Sequence, residues 1–383
     1  MNLTQFSMNK TPVRMDDGRT LTYYDFAPAG EAPPYLAQHQ QAAAQFAVAG
    51  PRILPLPPEM RWNPTLGEWT VYAANRMSRP MLPSADACPL CPGILELPLP
   101  YQIAIFENRA PSMAYIPGEV ALPATEGVFE ATAPARGRCD LVVYDQAHGG
   151  KLAHMTPNHI AALVEAWRDR YTELVELPEI QFVSIFENKG REAGMTLDHP
   201  HGQIYAFPFL PPQLAAHWKQ TLSVPDLWNK IVEREQNGSR VIAQTEGFLA
   251  AIPYYARYPY EVHIWAKRDG VHSLTQMTPA ERGELAAILK NITLRYENLW
   301  PDAKYGFPTL MLMQQLSKLD GVEKYRFHIE LLPLQRSVDK LKYRACIESG
   351  TGAFLNDALP ENQAAELRQS VPHEVELPSI TFA

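Results

Sequence analysis

The chain contains 383 residues, of which 46% are hydrophobic, 10% aromatic and 20% charged. At about 150 residues per domain, this length predicts two to three domains or one large duplicated unit. The composition can bury a large core and excludes a disordered regulator. Because the net charge is −8, binding to nucleic acid or an anionic membrane over the whole surface is not expected, and any phosphate must be bound at a local site.

The sequence also predicts the compartment. No apolar run approaches the about 18 residues that cross a bilayer, and residues 1–10 are polar, without the apolar core of a signal peptide. We therefore expect a cytoplasmic protein without a membrane or nucleic-acid partner. Four cysteines are too few for a disulfide scaffold, but Cys88 and Cys91 are spaced C-x-x-C, which indicates metal or redox chemistry.

The N-terminal region begins with a predicted hairpin. Apolar residues alternate over residues 13–24 around the Asp-Asp-Gly sequence at 16–18, as in two strands joined by a tight turn. Proline is abundant, with 35 residues against 21 glycines, and much of it lies in residues 27–58 and 116–138. These two stretches are predicted to be loops or linkers.

An internal repeat follows. A strand pattern at residues 142–144 leads to a helix that starts at Thr156, and a similar strand at 262–265 leads to a helix that starts at Thr278. In both copies the threonine can cap the helix, with proline in its first turn, and Glu281 completes a capping box in the second. The recurring order of strand, loop and helix predicts a duplicated unit.

Each predicted helix is followed by an apolar strand and then by a histidine-bearing segment, at residues 199–205 and 327–332. If these segments correspond, Glu330 stands where the first copy has His201, and only the first half keeps the reactive group. The coarse prediction is a duplicated α+β unit with one working site.

The sequence HPHGQ at residues 199–203 carries the sharpest chemical signal. Imidazole is largely neutral near pH 7 and can attack phosphorus, and the phosphorylated ring leaves readily once protonated. Gly202 would let the backbone approach a phosphate, and Gln203 supplies an amide donor, so the pentapeptide suits phosphoryl or nucleotidyl transfer. From the pentapeptide alone, a metal-binding H-x-H pair and ordinary core histidines remain alternatives.

This pentapeptide is one of several motifs spaced along most of the chain. They are RWNPTLGEW at 61–69, RMSRP at 76–80, CPLCPG at 88–93, FENR at 106–109, FENKG at 186–190, HPHGQ at 199–203 and FHIE at 327–330. Together they resemble the galactose-1-phosphate uridylyltransferase family of the histidine triad superfamily. Several motifs in order are far more specific than one.

The resemblance implies an α+β fold, in which a duplicated histidine-triad-like unit forms an antiparallel sheet with packed helices. We predict three segments: an N-terminal hairpin and Ala/Pro-rich linker at 1–58, a first half with the nucleophile and a zinc site at 59–220, and a second, degenerate half with a hexose-binding segment at 221–383. The implied activity is the exchange of UMP between glucose 1-phosphate and galactose 1-phosphate through a covalent uridylyl-histidine.

The resemblance also implies roles for single residues. His201 would be the nucleophile that takes UMP from UDP-glucose, and Gln203 would hydrogen-bond the phosphoryl oxygens. Lys342 and Glu348 match a hexose-binding segment that in the family reaches the neighbouring subunit's site, which implies a homodimer acting on UDP-glucose and galactose 1-phosphate. The other matching substrate-binding positions are Arg76, Arg79, Asn108, Asn188 and Thr196.

One structural zinc ion per chain is a further implication, since two thiolates and two imidazoles suit Zn²⁺. The matching ligands are Cys88, Cys91, His148 and His199. A thioredoxin-like redox pair is a weaker interpretation, because no strand opening onto a helix surrounds the C-x-x-C sequence; simple buried cysteines are the other alternative.

A second metal site, common in the family, is not expected to be well occupied here. His217, Gln314 and Glu330 stand where other members have a carboxylate and two histidines, which leaves mainly His328 in place. An amide and a lone carboxylate bind a borderline metal more weakly than histidines do.

Two other functions stay open. A related adenylyltransferase or dinucleotide phosphorylase would use the same histidine on an adenine nucleotide, since the uridine preference comes only from the resemblance. A non-enzymatic, zinc-stabilised nucleotide-binding or interaction protein would use the histidines and the C-x-x-C only to hold a fold. A pure binder would form no covalent adduct with UDP-glucose.

Overall fold

The computed structural model describes residues 6–45, 52–76, 84 and 87–370. The strands are β1 (Phe6–Arg14), β2 (Thr20–Pro28), β3 (Glu59–Asn63), β4 (Glu68–Tyr72), β5 (Ile103–Glu107), β6 (Thr132–Pro134), β7 (Arg138–Val143), β8 (Phe182–Lys189), β9 (His201–Phe207), β10 (Val241–Gln244), β11 (Phe248–Ala251), β12 (Val262–Ala266), β13 (Thr309–Gln314), β14 (His328–Pro333), β15 (Gln335–Ser337) and β16 (Lys340–Leu341). The α-helices are α1 (Leu36–Gln45), α2 (Pro157–Val175), α3 (Pro212–Ser223), α4 (Leu227–Gln236), α5 (Pro279–Leu299), α6 (Cys346–Thr351) and α7 (Pro360–Gln369).

Eleven strands form one sheet, in the order β1-β2-β5-β7-β9-β8-β13-β14-β12-β11-β10, and every neighbouring pair is antiparallel. The order is symmetric about the β8–β13 pair: β7, α2, β8 and β9 recur as β12, α5, β13 and β14. This arrangement confirms the predicted α+β fold with an antiparallel sheet and packed helices. The division into segments at 58 and 220 stays a prediction, since the sheet is continuous across the two halves.

The two long helices start where their caps were predicted. The Thr156 side chain accepts a hydrogen bond from the His159 backbone N–H at the start of α2. Thr278 and Glu281 form a capping box at the start of α5. The apolar faces of both helices, including Trp167 of α2 and Leu289 of α5, pack with side chains of the sheet in one buried core. This core holds the strands in place on one face of the sheet.

The N-terminal hairpin is confirmed and is longer than predicted. β1 and β2 pair from Arg14↔Thr20 to Phe6↔Pro28, around a turn in which Gly18 adopts φ +86°, a conformation that glycine tolerates. The interpretation of residues 27–58 as loop was wrong in part, because α1 lies within them. Its sequence, LAQHQQAAAQ, is rich in strong helix formers, and β6 likewise lies within the second proline-rich stretch.

Candidate active site

Two thiols and two imidazoles converge beside the start of β9, as the sequence predicted. The donor atoms of Cys88, Cys91, His148 and His199 all lie within 4.8 Å of one another. Cys91 Sγ lies 3.6 Å from Nδ1 of His148 and 3.7 Å from Nδ1 of His199, and Cys88 Sγ lies 3.8 Å from the same His199 nitrogen. The set can hold a metal ion.

The separations fit a tetrahedral zinc ion. Zn–S and Zn–N bonds of about 2.3 and 2.0 Å at tetrahedral angles place sulfur and nitrogen about 3.5 Å apart, close to the distances found. The cysteines lie on a turn in which the Cys91 N–H donates to the Cys88 carbonyl, 3.2 Å away. Among the described residues no α-helix follows this turn before β5, which disfavours the thioredoxin-like alternative.

Hydrogen bonds fix His199 in the tautomer that a metal needs. Its Nε2 lies 2.8 Å from the Asp145 carbonyl oxygen and 2.9 Å from the Tyr101 hydroxyl. Because a carbonyl can only accept, Nε2 carries the proton and Nδ1 presents its lone pair to the cysteines. Burial, foremost, lowers the pKa of His199 to about 4. Tyr101 and the Asp145 carbonyl are contributors that the sequence analysis missed.

His201 is fixed in the opposite tautomer. Its Nδ1 lies 2.7 Å from the His199 carbonyl oxygen, so Nδ1 is the donor and Nε2 carries the lone pair. A nucleophile needs such a nitrogen. The zinc-type cluster orients His199, and the His199 backbone in turn orients the His201 ring.

Gln203 and Tyr205 follow His201 on the more open face of β9, where residues alternate with buried ones. Arg76 Nη1 donates to the Tyr205 hydroxyl and to the Ala110 carbonyl, each 3.2 Å away, so one of the two predicted arginines lies against this face. Gln203 Oε1 is buried without a hydrogen-bond partner among the described residues. If the side-chain amide is rotated by 180°, its nitrogen and two N–H donors occupy the position of Oε1 instead.

Gly202 is needed for a reason other than the predicted approach of a phosphate. A Cβ at this position would lie 2.2 Å from the Tyr144 hydroxyl oxygen and 2.9 Å from the Phe186 carbonyl oxygen. Gly202 therefore faces the core, and the Tyr144 hydroxyl occupies the space that a side chain at this position would need. A strand pattern alone cannot reveal which partner occupies this space.

Two cavities lie near the histidine strand, and three of the predicted substrate residues line one or the other. The first, of about 610 Å³, is lined by His201, Asn188 and the cations Lys151 and Lys189, which both pair with Glu297. The second, of about 580 Å³, is lined by residues that include Asn108 and Thr196. Leu141, in its lining, pairs with Gln203 between β7 and β9, so the second cavity abuts the histidine strand.

Three predicted substrate positions remain. Arg79 lies outside the described residues. Lys342 Nζ and Glu348 Oε1 form a buried ion pair of 2.5 Å that lines neither cavity. Their predicted role, at the neighbouring subunit's site, stays a prediction.

A second donor cluster lies among the residues of the second metal site that the sequence left in doubt. Donor atoms of His217, His328 and Glu330 lie within 4.8 Å of one another, a convergence that the sequence analysis did not predict. Glu330 Oε2 also accepts a hydrogen bond from Arg257, 3.1 Å away, and that positive charge opposes a cation. The expectation of at most one well-occupied metal site stays a prediction.

The repeated strand order and the paired histidines define a duplicated α+β protein of the histidine-triad type. The family model for the N-terminal domain of galactose-1-phosphate uridyl transferase matches residues 56–211, and the model for its C-terminal domain matches residues 214–376. The chain belongs to the galactose-1-phosphate uridylyltransferase family.

Two curated relatives are similar in sequence to this protein along most of the chain. The chain is 38% identical to the galactose-1-phosphate uridylyltransferase of Thermotoga maritima, over 83% of this chain and 99% of that protein. It is 31% identical to the Streptomyces lividans protein of the same name, over 85% of this chain and 86% of that protein.

Among solved structures, a uridylyltransferase aligns with a TM-score of 0.72 and 30% identity, over 82% of this chain and 98% of its own. An ADP-glucose phosphorylase from Arabidopsis thaliana aligns with a TM-score of 0.60 at 20% identity, over 82% of this chain and 99% of its own, which shows a shared fold alone.

Proposed function

We propose that this protein is a UDP-glucose:hexose-1-phosphate uridylyltransferase that exchanges UMP between glucose 1-phosphate and galactose 1-phosphate, in galactose metabolism. The family assignment supports the activity. The single observation that carries the mechanism is the 2.7 Å contact between His201 Nδ1 and the His199 carbonyl, since it makes Nε2 the nucleophilic nitrogen.

In the first half-reaction, the Nε2 lone pair of His201 attacks the α-phosphorus of UDP-glucose. A nitrogen–phosphorus bond forms, the bond from phosphorus to the bridging oxygen breaks, and glucose 1-phosphate leaves. The ring becomes positively charged, and the His199 carbonyl stabilises it through the Nδ1–H. In the second half-reaction a phosphate oxygen of galactose 1-phosphate attacks phosphorus, His201 leaves as neutral imidazole, and UDP-galactose forms.

Charged and amide groups around β9 would stabilise the phosphoryl oxygens during both steps. Gln203 lies on the same strand face as His201, and Arg76 is held against that face by Tyr205 and the Ala110 carbonyl. Fixed donors of this kind act on the charge of the transition state. Asn188 in the first cavity, and Asn108 and Thr196 in the second, would bind the rest of the substrate.

Zinc is the ion that we assign to the Cys₂His₂ cluster, because the donor set and its separations fit Zn²⁺. When bound, it would crosslink the turn at Cys91, the loop at His148 and the residue that orients His201. A homodimer that shares Lys342 and Glu348, and a cytoplasmic location, belong to the same proposal. No helix in the described part of the chain is long and apolar enough to cross a membrane.

Intact-protein mass spectrometry tests the proposal. After mixing with UDP-glucose, the wild-type protein should gain the mass of one uridylyl group, and adding galactose 1-phosphate should remove it. ADP-glucose serves as the parallel arm. An adenylyl adduct without a uridylyl adduct would favour the adenine-nucleotide alternative, and no adduct with either donor would contradict the proposed transfer.

A further inference from the structure

The N-terminal segment precedes the matched family model, which begins at residue 56, yet it is part of the main sheet. β2 pairs with β5 from Leu21↔Phe106 to Tyr24↔Ile103. β5 leads directly to Asn108, a predicted substrate residue. The segment is therefore built onto the strand that supports the second cavity.

A buried arginine locks this hairpin in place. Arg19 is 1% exposed and forms ion pairs of 2.8 Å with Asp17 and 2.6 Å with Glu96. It also donates to the Glu107 carbonyl, 2.8 Å away. A buried charge with three acceptors is costly to displace, so the hairpin holds a fixed position beside Asn108.

The end of the same segment forms a wall of the second cavity. Leu54 is buried, and Arg52 and Leu54 line the cavity beside Leu56, Asn108 and Thr196. Nη1 and Nη2 of Arg52 lie 3.4 Å from the Arg109 carbonyl oxygen. Two contacts of that length are weak, and they leave most of the five guanidinium donors for other partners.

The lining of this cavity suits a nucleotide. Its charged residues are Arg52, Arg109 and Glu96, and Glu96 is already paired with both Arg19 and Arg109. The lining thus carries one more positive than negative charge, on a chain of net charge −8, and the carboxyls of Asp17 and Glu107 also interact with Arg52. Its apolar surface can pack against a base, and that surface comes from Leu54, Leu56, Leu90, Leu95, Phe106, Leu141 and Leu197.

We propose that Arg52, supplied by the N-terminal segment, binds the nucleotide half of the uridylyl donor in the second cavity and sets the affinity for that donor. The inference rests on the proposed function, because it takes a uridine nucleotide as the ligand. The sugar 1-phosphate acceptor does not depend on Arg52.

The test uses Arg52→Gln and Arg52→Ala, with Arg168→Gln as a matched control. Arg168 is a partly exposed arginine on α2 that pairs with Glu165 at 3.0 Å and lines neither cavity. Calorimetry with UMP should show an affinity about tenfold weaker or more in both Arg52 variants, since a charge-assisted hydrogen bond is lost. Arg168→Gln should stay within about twofold of the wild type.

Kinetics provide the second measurement. The KM for UDP-glucose should rise in the Arg52 variants while the KM for galactose 1-phosphate stays unchanged. Unfolding temperature and metal content establish that each variant folds. If the wild type takes up a uridylyl group but both Arg52 variants bind UMP as tightly as it does, the role of Arg52 is overturned. A wild type that takes up none overturns the proposed function instead.

Discussion

The two histidines of the HPHGQ sequence each owe their tautomer to one backbone carbonyl. The Asp145 carbonyl accepts the Nε2–H of His199 and leaves Nδ1 for a metal. The His199 carbonyl accepts the Nδ1–H of His201, so Nε2 carries the lone pair that attacks phosphorus in the proposed mechanism. The rings therefore work through opposite nitrogens, a distinction that the spacing of two residues cannot express.

Replacing each histidine should have a different effect. His201→Gly should keep its fold and its metal but lose uridylyl transfer by several orders of magnitude, because the nucleophile is gone. Free imidazole in the vacated space should partly restore UDP-glucose cleavage without sugar exchange. His199→Ala should lose metal, stability and activity together.

Protein mass after incubation with UDP-glucose decides this prediction, and metal analysis of both variants is its control. A stable uridylyl adduct on His201→Gly, or full exchange activity, would remove His201 from the mechanism.

Gly202→Ala should disturb β9 through the clash with Tyr144 and the Phe186 carbonyl. Overpacking of this kind costs about 1–3 kcal/mol, and the displaced strand carries His201, so the unfolding temperature and the activity should both fall. Adding Tyr144→Phe should recover only part of the loss, because the backbone contact remains. Thermal unfolding of the two single variants and the double variant measures the coupling; strictly additive losses would refute this account.

At the scale of elements, the Cys₂His₂ cluster brings together a turn, a loop and the residues just before β9, which are distant in sequence. Cys88→Ser should weaken metal retention and lower the unfolding temperature, because a metal held by closed ligands contributes to folding. Cys346→Ser is the control, since Cys346 is an exposed thiol outside the cluster. A zinc-free wild type whose stability is unaffected by chelators and by Cys88→Ser would show that the assignment is wrong.

The second cluster leads to a prediction about stoichiometry. Elemental analysis after dialysis against a weak chelator should find about one ion per chain, because Arg257 competes for the Glu330 carboxylate that a second ion would need. Arg257→Gln should raise the occupancy of the second cluster. Two firmly held ions per wild-type chain would contradict the prediction.

For the whole molecule, the two half-buried carboxyls of Glu107 and Glu187 contribute to the pH dependence of stability. Burial, foremost, raises the pKa of Glu107 and of Glu187 from 4.5 to about 7, and the nearby Asp140 adds to the effect at Glu107. Between these values the two carboxyls hold protons in the folded protein that the unfolded chain releases, so their contribution to the free energy of unfolding should fall as pH rises from about 4.5 to 7. The lowered pKa values of His199 and His217, about 4 in the folded protein, contribute in the opposite direction.

Glu107→Gln and Glu187→Gln should each remove one falling contribution, so the free energy of unfolding of each variant should fall less, or rise more, than that of the wild type between pH 4.5 and about 7. Denaturant unfolding at several pH values is the measurement, and Glu126→Gln, at an exposed loop position, is the control. An unchanged slope in both variants would mean that other groups cause the dependence.

The repeat and the caps could be predicted from short patterns such as Thr-Pro, and the convergence of the Cys₂His₂ set was implied by the family resemblance of motifs such as HPHGQ. The helix within the proline-rich stretch was missed, since proline abundance was weighed over the helix formers around His39. The packing of Tyr144 on Gly202, and the convergence of His217 with Glu330, depend on how strands pair across the sheet. Local sequence does not encode such contacts.

The hairpin has a consequence for solubility, because β1 is an outer strand of the eleven-stranded sheet. Its Lys10, Pro12 and Arg14 are residue types that discourage the edge from pairing with another chain. Without the hairpin, β5 would become the outer strand, and four of its five residues, in the sequence IAIFE, are buried. A protein truncated before β3 would therefore expose an apolar edge that favours intermolecular strand addition and aggregation.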